Sequence, residues 1–174
     1  IPPKRIVDLG CGTGAVGTAV ARSLGETSPE LLGLDCSTWA VAETRSTYQL
    51  FGLQGQSRRA TLPGGMPRTG AGDLIVAGWS INELKDDARN GLLGELERAI
   101  KRGAYLLIFE PISQKICPWW SGWTRTLAPY GGRDSFEKFN WERPEWIRKM
   151  DKAAKMNHHI LSARILNVAL DRKA

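Results

Sequence analysis

Arg5-Ile6-Val7-Asp8-Leu9-Gly10-Cys11-Gly12-Thr13-Gly14-Ala15-Val16-Gly17-Thr18-Ala19-Val20 is the stretch whose reading decides the fold. A short apolar strand (Ile6, Val7, Leu9) runs into a glycine-rich turn (Gly10, Gly12, Gly14), and an amphipathic helix begins at Ala15. Glycines let the backbone turn sharply and lie against a ligand that a Cβ would push away. The helix behind them offers unpaired N–H groups at its N-terminus. A strand, turn and helix in this order predict a doubly wound α/β sheet with a nucleotide-like ligand at the turn.

Which ligand is a question of charge. Gly12, Gly14 and Gly17 spell G-x-G-x-x-G, and Asp35 follows about 20 residues on, the layout of a dinucleotide site. Asp8, at the strand end just before the glycines, pulls the other way. A carboxylate there repels a pyrophosphate and welcomes a cationic ligand. A nicotinamide dinucleotide therefore stands second to a cationic, phosphate-free cofactor. A purely structural turn is the third alternative.

Asp8-Leu9-Gly10-Cys11-Gly12-Thr13-Gly14 resembles motif I of the class I S-adenosylmethionine-dependent methyltransferases at every position of its D-x-G-x-G-x-G signature. The resemblance covers about residues 4 to 110. It implies a Rossmann-like, mostly parallel sheet and S-adenosyl-L-methionine as cofactor. It also implies that Asp8, Gly10, Cys11, Gly12, Thr13 and Gly14 hold the methionine end and Asp35 the ribose, with Cys36 also in the cofactor site. Ala77, Gly78 and Trp79 would form the edge near the sulfonium. A carboxylate such as Asp35 can accept two hydrogen bonds from a vicinal diol; the plainer role for it, capping the next helix, is one that Ser37 already suits.

Length and composition agree. The 174 residues predict one domain with a real core: a cofactor-binding part over 1–110, a helical region over 111–157 and a last strand within 158–174. No apolar run reaches the ~18 residues of a membrane span. Cys11, Cys36 and Cys117 are odd in number and form no C-x-x-C pair, which argues for a reducing compartment and against a metal site. The expected location is cytoplasmic, or mitochondrial if a targeting segment preceded Ile1. A net charge of +6 permits a nucleic-acid partner without requiring one.

Along the chain, helices are expected at Ala15 to Leu24, Trp39 to Phe51 and Lys85 to Arg102. Strands are expected at Leu31 to Asp35, Arg58 to Leu62, Asp73 to Trp79 and Ala104 to Phe109. Residues 52–72 are loop-rich and offer no acid for an adenine amine. Strand four and the following Ser80-Ile81-Asn82-Glu83-Leu84 resemble the family's motif IV, without the Asn-Pro-Pro-Tyr clamp for base or glutamine nitrogens and without a Pro-Cys thiolate. Because ligands sit outside the carboxyl ends of strands, Asp8, Asp35, Trp79 and Glu110 are expected to converge on one crevice. Glu110 is a candidate acid or base, or else a loop acid capping a helix at Trp119.

The last third is a helical, tryptophan-rich insertion before the last strand. Five of the seven tryptophans lie between Trp119 and Trp146, among Arg125, Arg133, Lys138, Arg143 and Arg148. They read as a lid over a small substrate, as an RNA-stacking platform, or as a cap packed on the sheet. A helix is expected from Pro144 to Met156 and a strand from Ile160 to Leu170. His158 is a third candidate base, after Glu83 and Glu110.

Ser80-Ile81-Asn82-Glu83-Leu84 and Ile108-Phe109-Glu110-Pro111 are also similar to the methyltransferase-like family associated with small-ribosomal-subunit assembly. That family's metal-binding cysteine cluster is reduced here to Cys117. The expected function is methyl transfer to RNA or to a small molecule. The alternative is a non-catalytic assembly factor that docks RNA or the ribosomal small subunit.

Overall fold

The computed structural model describes residues 2–25 and 27–169. Its elements run β1 (Arg5–Leu9), α1 (Ala15–Ser23), β2 (Glu30–Asp35), α2 (Thr38–Leu50), β3 (Gly55–Arg59) and β4 (Asp73–Gly78). Then come α3 (Asp86–Lys101), β5 (Tyr105–Glu110), α4 (Trp120–Leu127), β6 (Gly132–Asn140), α5 (Glu145–Ala154) and β7 (Ile160–Val168). The strands form a seven-stranded sheet ordered β3-β2-β1-β4-β5-β7-β6. β1 to β5 are parallel, whereas β7 runs antiparallel to both neighbours. The order reverses between β1 and β4, and a ligand crevice opens at such a switch point.

Strand residues alternate between the two faces, and each face has its own core. Ile6, Leu31 and Val76 pack with Ala21 and Tyr48 on the α1–α2 side. Val7, Leu9, Ile75, Leu106 and Ile108 pack with Leu92 and Leu96 of α3 and with Trp120 and Trp123 of α4 on the other. The central strands are apolar throughout because both faces are covered. Helix ends follow local chemistry: the Ser37 side chain accepts the Ala40 N–H at the start of α2, and α1 stops just short of Gly25.

Two expectations need correction. The third strand lies at Gly55–Arg59, earlier than Arg58 to Leu62, because its register is set by pairing with β2 from Leu31↔Gly55 to Asp35↔Arg59. Ala60 and Leu62 are then free to turn toward the crevice. The region 111–157 is not wholly helical: β6 forms nine residues of edge strand against β7, its charged sequence RDSFEKFN solvated on both faces. Of the three readings of the tryptophan-rich segment, the tryptophans near α4 match the cap packed on the sheet. Trp120 and Trp123 are 1% and 3% exposed, and Trp119 meets Trp123 edge-on at 4.8 Å. The Trp120 indole N–H donates to Asp134 at 3.1 Å, fastening α4 to β6. Trp141 and Trp146 remain exposed. The last strand ends at Val168, and Leu170 lies outside the described residues. Among the described residues no helix is long and apolar enough to cross a membrane.

Candidate active site

The glycine turn is held from three sides. The Gly10 and Cys11 N–H groups both donate to the Leu34 carbonyl, at 2.8 and 3.0 Å. The Thr44 hydroxyl of α2 donates to the Gly12 carbonyl at 2.9 Å. The Ser80 hydroxyl, following β4, donates to the Leu9 carbonyl at 2.7 Å. Gly12 itself has a φ of +54°, and the space where a Cβ would stand is open, so a ligand can approach the main chain.

Asp35 closes the other wall. One carboxylate oxygen accepts the Gly12 N–H at 3.0 Å and the other the Ser37 N–H at 2.8 Å. Each oxygen has two lone pairs, so each keeps one for a ligand diol.

A cleft of about 440 Å³ lies over these groups. Of the expected site residues, Gly10, Cys11, Gly12, Thr13, Asp35, Cys36, Gly78, Trp79 and Glu83 line it. Ala15, Val16, Leu34, Ala60, Thr61, Leu62, Ser80 and Leu84 also line it and were not anticipated. Leu34, Ala60 and Leu62 offer apolar surface for a purine. Their signal was weak, because they sit where a strand gives way to a loop whose course only the pairing of β3 defines.

Asp8, Gly14, Ala77 and Glu110 do not line the cleft, so the expected convergence holds for Asp35 and Trp79 alone. Asp8 points to the α1 face, 1% exposed, and its Oδ2 accepts the Gly17 N–H at 3.0 Å. Burial pushes its pKa up to about 7. Glu110 sits on the opposite face of the sheet, fully buried, where one oxygen accepts the N–H groups of Ile81 and Asn82 at 2.8 and 3.3 Å. It therefore braces the turn after β4, not a helix at Trp119; burial raises its pKa. Ala77 is sealed in the core, and Gly14 lies against Thr44 and Tyr48.

His158 lines a neighbouring groove instead. The two buried thiols are poor nucleophiles: burial raises Cys11 to about 12 and Cys117 to about 11. Among the described residues, no group of three or more His, Cys, Asp or Glu side chains is arranged to hold a metal ion.

Electrostatically, the cleft is lined by two carboxylates, Asp35 and Glu83, and by no lysine or arginine. With Asp8 buried, Glu83 is the cleft acid that disfavours a pyrophosphate, since Asp35 suits the ribose diol of either kind of cofactor. An adenosine ribose against Asp35, a purine against Leu34 and Leu62 and a sulfonium between acids are chemically consistent with this donor and acceptor set.

Fold and crevice together define a Rossmann-like α/β domain of the class I methyltransferase type. A family model described as a methyltransferase domain matches residues 6–103, more than half of the sequence, and the chain belongs to that family. The ribosomal RNA large subunit methyltransferase G of Streptomyces coelicolor is 45% identical over 75 residues, covering 42% of this chain and 19% of that protein. The carboxy-S-adenosyl-L-methionine synthase of Alteromonas mediterranea is 26% identical over 112 residues, covering 64% of this chain and 46% of that protein. The chain thus spans less than half the length of these curated relatives.

Solved structures share the fold, two of them as follows. A SAM-dependent methyltransferase from Geobacter sulfurreducens in complex with S-adenosyl-L-homocysteine superposes with a TM-score of 0.60 at 15% identity, covering 97% of this chain and 85% of that one. The [4+2]-cyclase SpnF superposes with a TM-score of 0.61 at 18% identity, covering 96% and 75%. A cyclase among the neighbours is a reminder that fold alone does not fix chemistry.

Proposed function

We propose that this chain binds S-adenosyl-L-methionine in the crevice between β1, β2 and β4 and transfers its methyl group to a nucleophile. The observation that carries the reading is Asp35, fixed by two backbone N–H groups with a lone pair left on each oxygen, in a cleft lined by acids and not by cations. Family membership and the sequence of the glycine turn support it.

The cofactor supplies an electrophilic methyl on a sulfonium. The chain supplies positioning, which accounts for much of the acceleration in a displacement of this kind. The glycine turn and Asp35 fix one partner, while Trp79 and the turn braced by Glu110 shape the edge. Glu83, exposed on the crevice rim, is the carboxylate there besides Asp35.

An RNA acceptor draws support from the likeness to a ribosomal RNA methyltransferase and from the net charge of +6. A binding-only role in ribosome assembly rests on the Ser80 to Leu84 and Ile108 to Pro111 likeness. Incubation with methyl-tritiated cofactor separates these readings. Label transferred to ribosomal RNA or to a small molecule supports catalysis. Tight cofactor binding with no transfer to either class contradicts it.

A further inference from the structure

Trp79 stands directly after β4, and its backbone is strained. Its φ is +53°, a left-handed conformation that glycine takes freely and a bulky residue rarely adopts. The surroundings fix it there. The Trp79 N–H donates to the Phe109 carbonyl at 2.8 Å, and the hydroxyl of the next residue, Ser80, donates to the Leu9 carbonyl at 2.7 Å. On the other side, Gly78 packs so closely on α1 that a Cβ there would lie 2.6 Å from Val16 Cγ2. A strained residue persists only where its neighbours over-determine it, and such residues gather at ligand sites. A glycine would relieve the backbone at this position, yet the chain keeps a tryptophan. The ring is what that choice retains.

The indole lines the cofactor cleft, and it is the aromatic side chain among the lining residues. Phe109 backs it in parallel, with ring centroids 6.4 Å apart and 9° between the planes. Trp79 is still 47% exposed, so indole surface is left for a ligand. An indole carries negative potential over its face and attracts cations more strongly than the other aromatic rings do. No lysine or arginine lines the cleft to compete for that face. A ribose on Asp35 leaves the sulfonium, one carbon removed from the sugar ring, within the same cleft.

We propose that Trp79 is a specificity-determining residue that reads charge: its indole holds the sulfonium of S-adenosyl-L-methionine by a cation–π contact, and so favours the charged methyl donor over the neutral thioether left after transfer. The inference rests on the methyl-donor reading of this cleft and assigns one side chain a role within it. Donor and spent cofactor share the adenosine and the amino-acid end, so Asp35 and the glycine turn treat them alike. They differ at sulfur, by one methyl group and one positive charge. A side chain that senses that charge promotes exchange of spent cofactor for fresh, because the attraction is lost as the methyl leaves. The left-handed φ sets the direction in which the indole leaves the chain, and Phe109 behind it fixes the plane of the ring.

The test is calorimetric titration of the full chain, and of its Trp79→Phe, Trp79→Leu and Trp79→Gly variants, with three ligands. They are S-adenosyl-L-methionine, S-adenosyl-L-homocysteine and sinefungin, which carries an ammonium in place of the sulfonium methyl. Trp79→Leu keeps apolar bulk without the π face. It is expected to weaken S-adenosyl-L-methionine and sinefungin by about fivefold or more, and S-adenosyl-L-homocysteine by less than about twofold. Trp79→Phe is expected to keep most of the preference for the two cations. Trp79→Gly takes the φ without strain and is expected to lose the preference as the leucine variant does, which keeps the test decisive should that variant fold poorly. Equal weakening of all three ligands, or no change in any, would make Trp79 a mere wall and overturn the proposal. A loss confined to S-adenosyl-L-methionine would also overturn it, since packing on the methyl group would then be the cause. Failure of the unaltered chain to bind any of the three would overturn the cofactor reading itself, and is seen separately in the first titration.

Discussion

The Asp35 carboxylate accepts the Gly12 backbone N–H at 3.0 Å, joining the tip of β2 to the glycine turn across 23 residues of sequence. The same side chain therefore shapes the turn and faces the cleft. Asp35→Ala is expected to weaken S-adenosyl-L-methionine by roughly 1.5–3 kcal/mol, the usual worth of hydrogen bonds to a charged group. Calorimetric titration of the variant checks this; unchanged affinity would place the ribose elsewhere.

Asp8 is expected to set a pH dependence of stability. Its pKa is raised by burial from 3.8 to about 7, so folding favours the protonated carboxyl. The associated stabilisation is fully present below the unfolded pKa near 3.8 and is lost as pH rises through about 7. Asp8→Asn should remove that dependence, with the gap between wild type and variant changing by on the order of 4 kcal/mol between pH 4 and pH 8. Urea melts of both proteins across this range measure it, and parallel pH profiles would refute it.

Gly17→Ala is expected to damage the same spot from the other side. A Cβ on Gly17 would lie 2.6 Å from the Asp8 carboxylate oxygen and 3.3 Å from the Asp8 Cβ, so the buried Asp8 must shift to admit it. A cost of about 1–3 kcal/mol, typical of overpacking, should appear as a lower Tm. The double variant Gly17→Ala, Asp8→Ala should be less than additive; full additivity would mean the two do not meet.

Glu110 is expected to behave as a structural brace. Glu110→Ala strands the buried N–H groups of Ile81 and Asn82, at about 1–3 kcal/mol for each. Thermal unfolding should shift down. A variant of wild-type stability with turnover abolished would instead place Glu110 in the chemistry.

These residues also mark what the sequence could and could not reveal. The strand, glycine turn and helix from Arg5 to Val20 were legible because backbone chemistry dictates the residue types locally, and Asp35 was legible because a strand-end acid at that spacing has few other uses. The directions of Asp8 and Glu110 were not. Both strands are apolar on each face, so hydrophobic alternation is erased and an acid on such a strand carries no sign of which side it takes. β6 was hidden for the opposite reason: an edge strand solvated on both faces has little apolar pattern, and only its pairing with β7 defines it. The groove at His158 was equally invisible, since it depends on β7 lying beside β5 and opposite α1.

The central claim is tested most directly by titrating the chain calorimetrically with S-adenosyl-L-methionine, S-adenosyl-L-homocysteine and NAD in parallel. Saturable binding of the first two with none of the third is the predicted result, since the chain belongs to a methyltransferase family and its glycine turn carries the D-x-G-x-G-x-G signature. Binding of NAD alone would contradict the account.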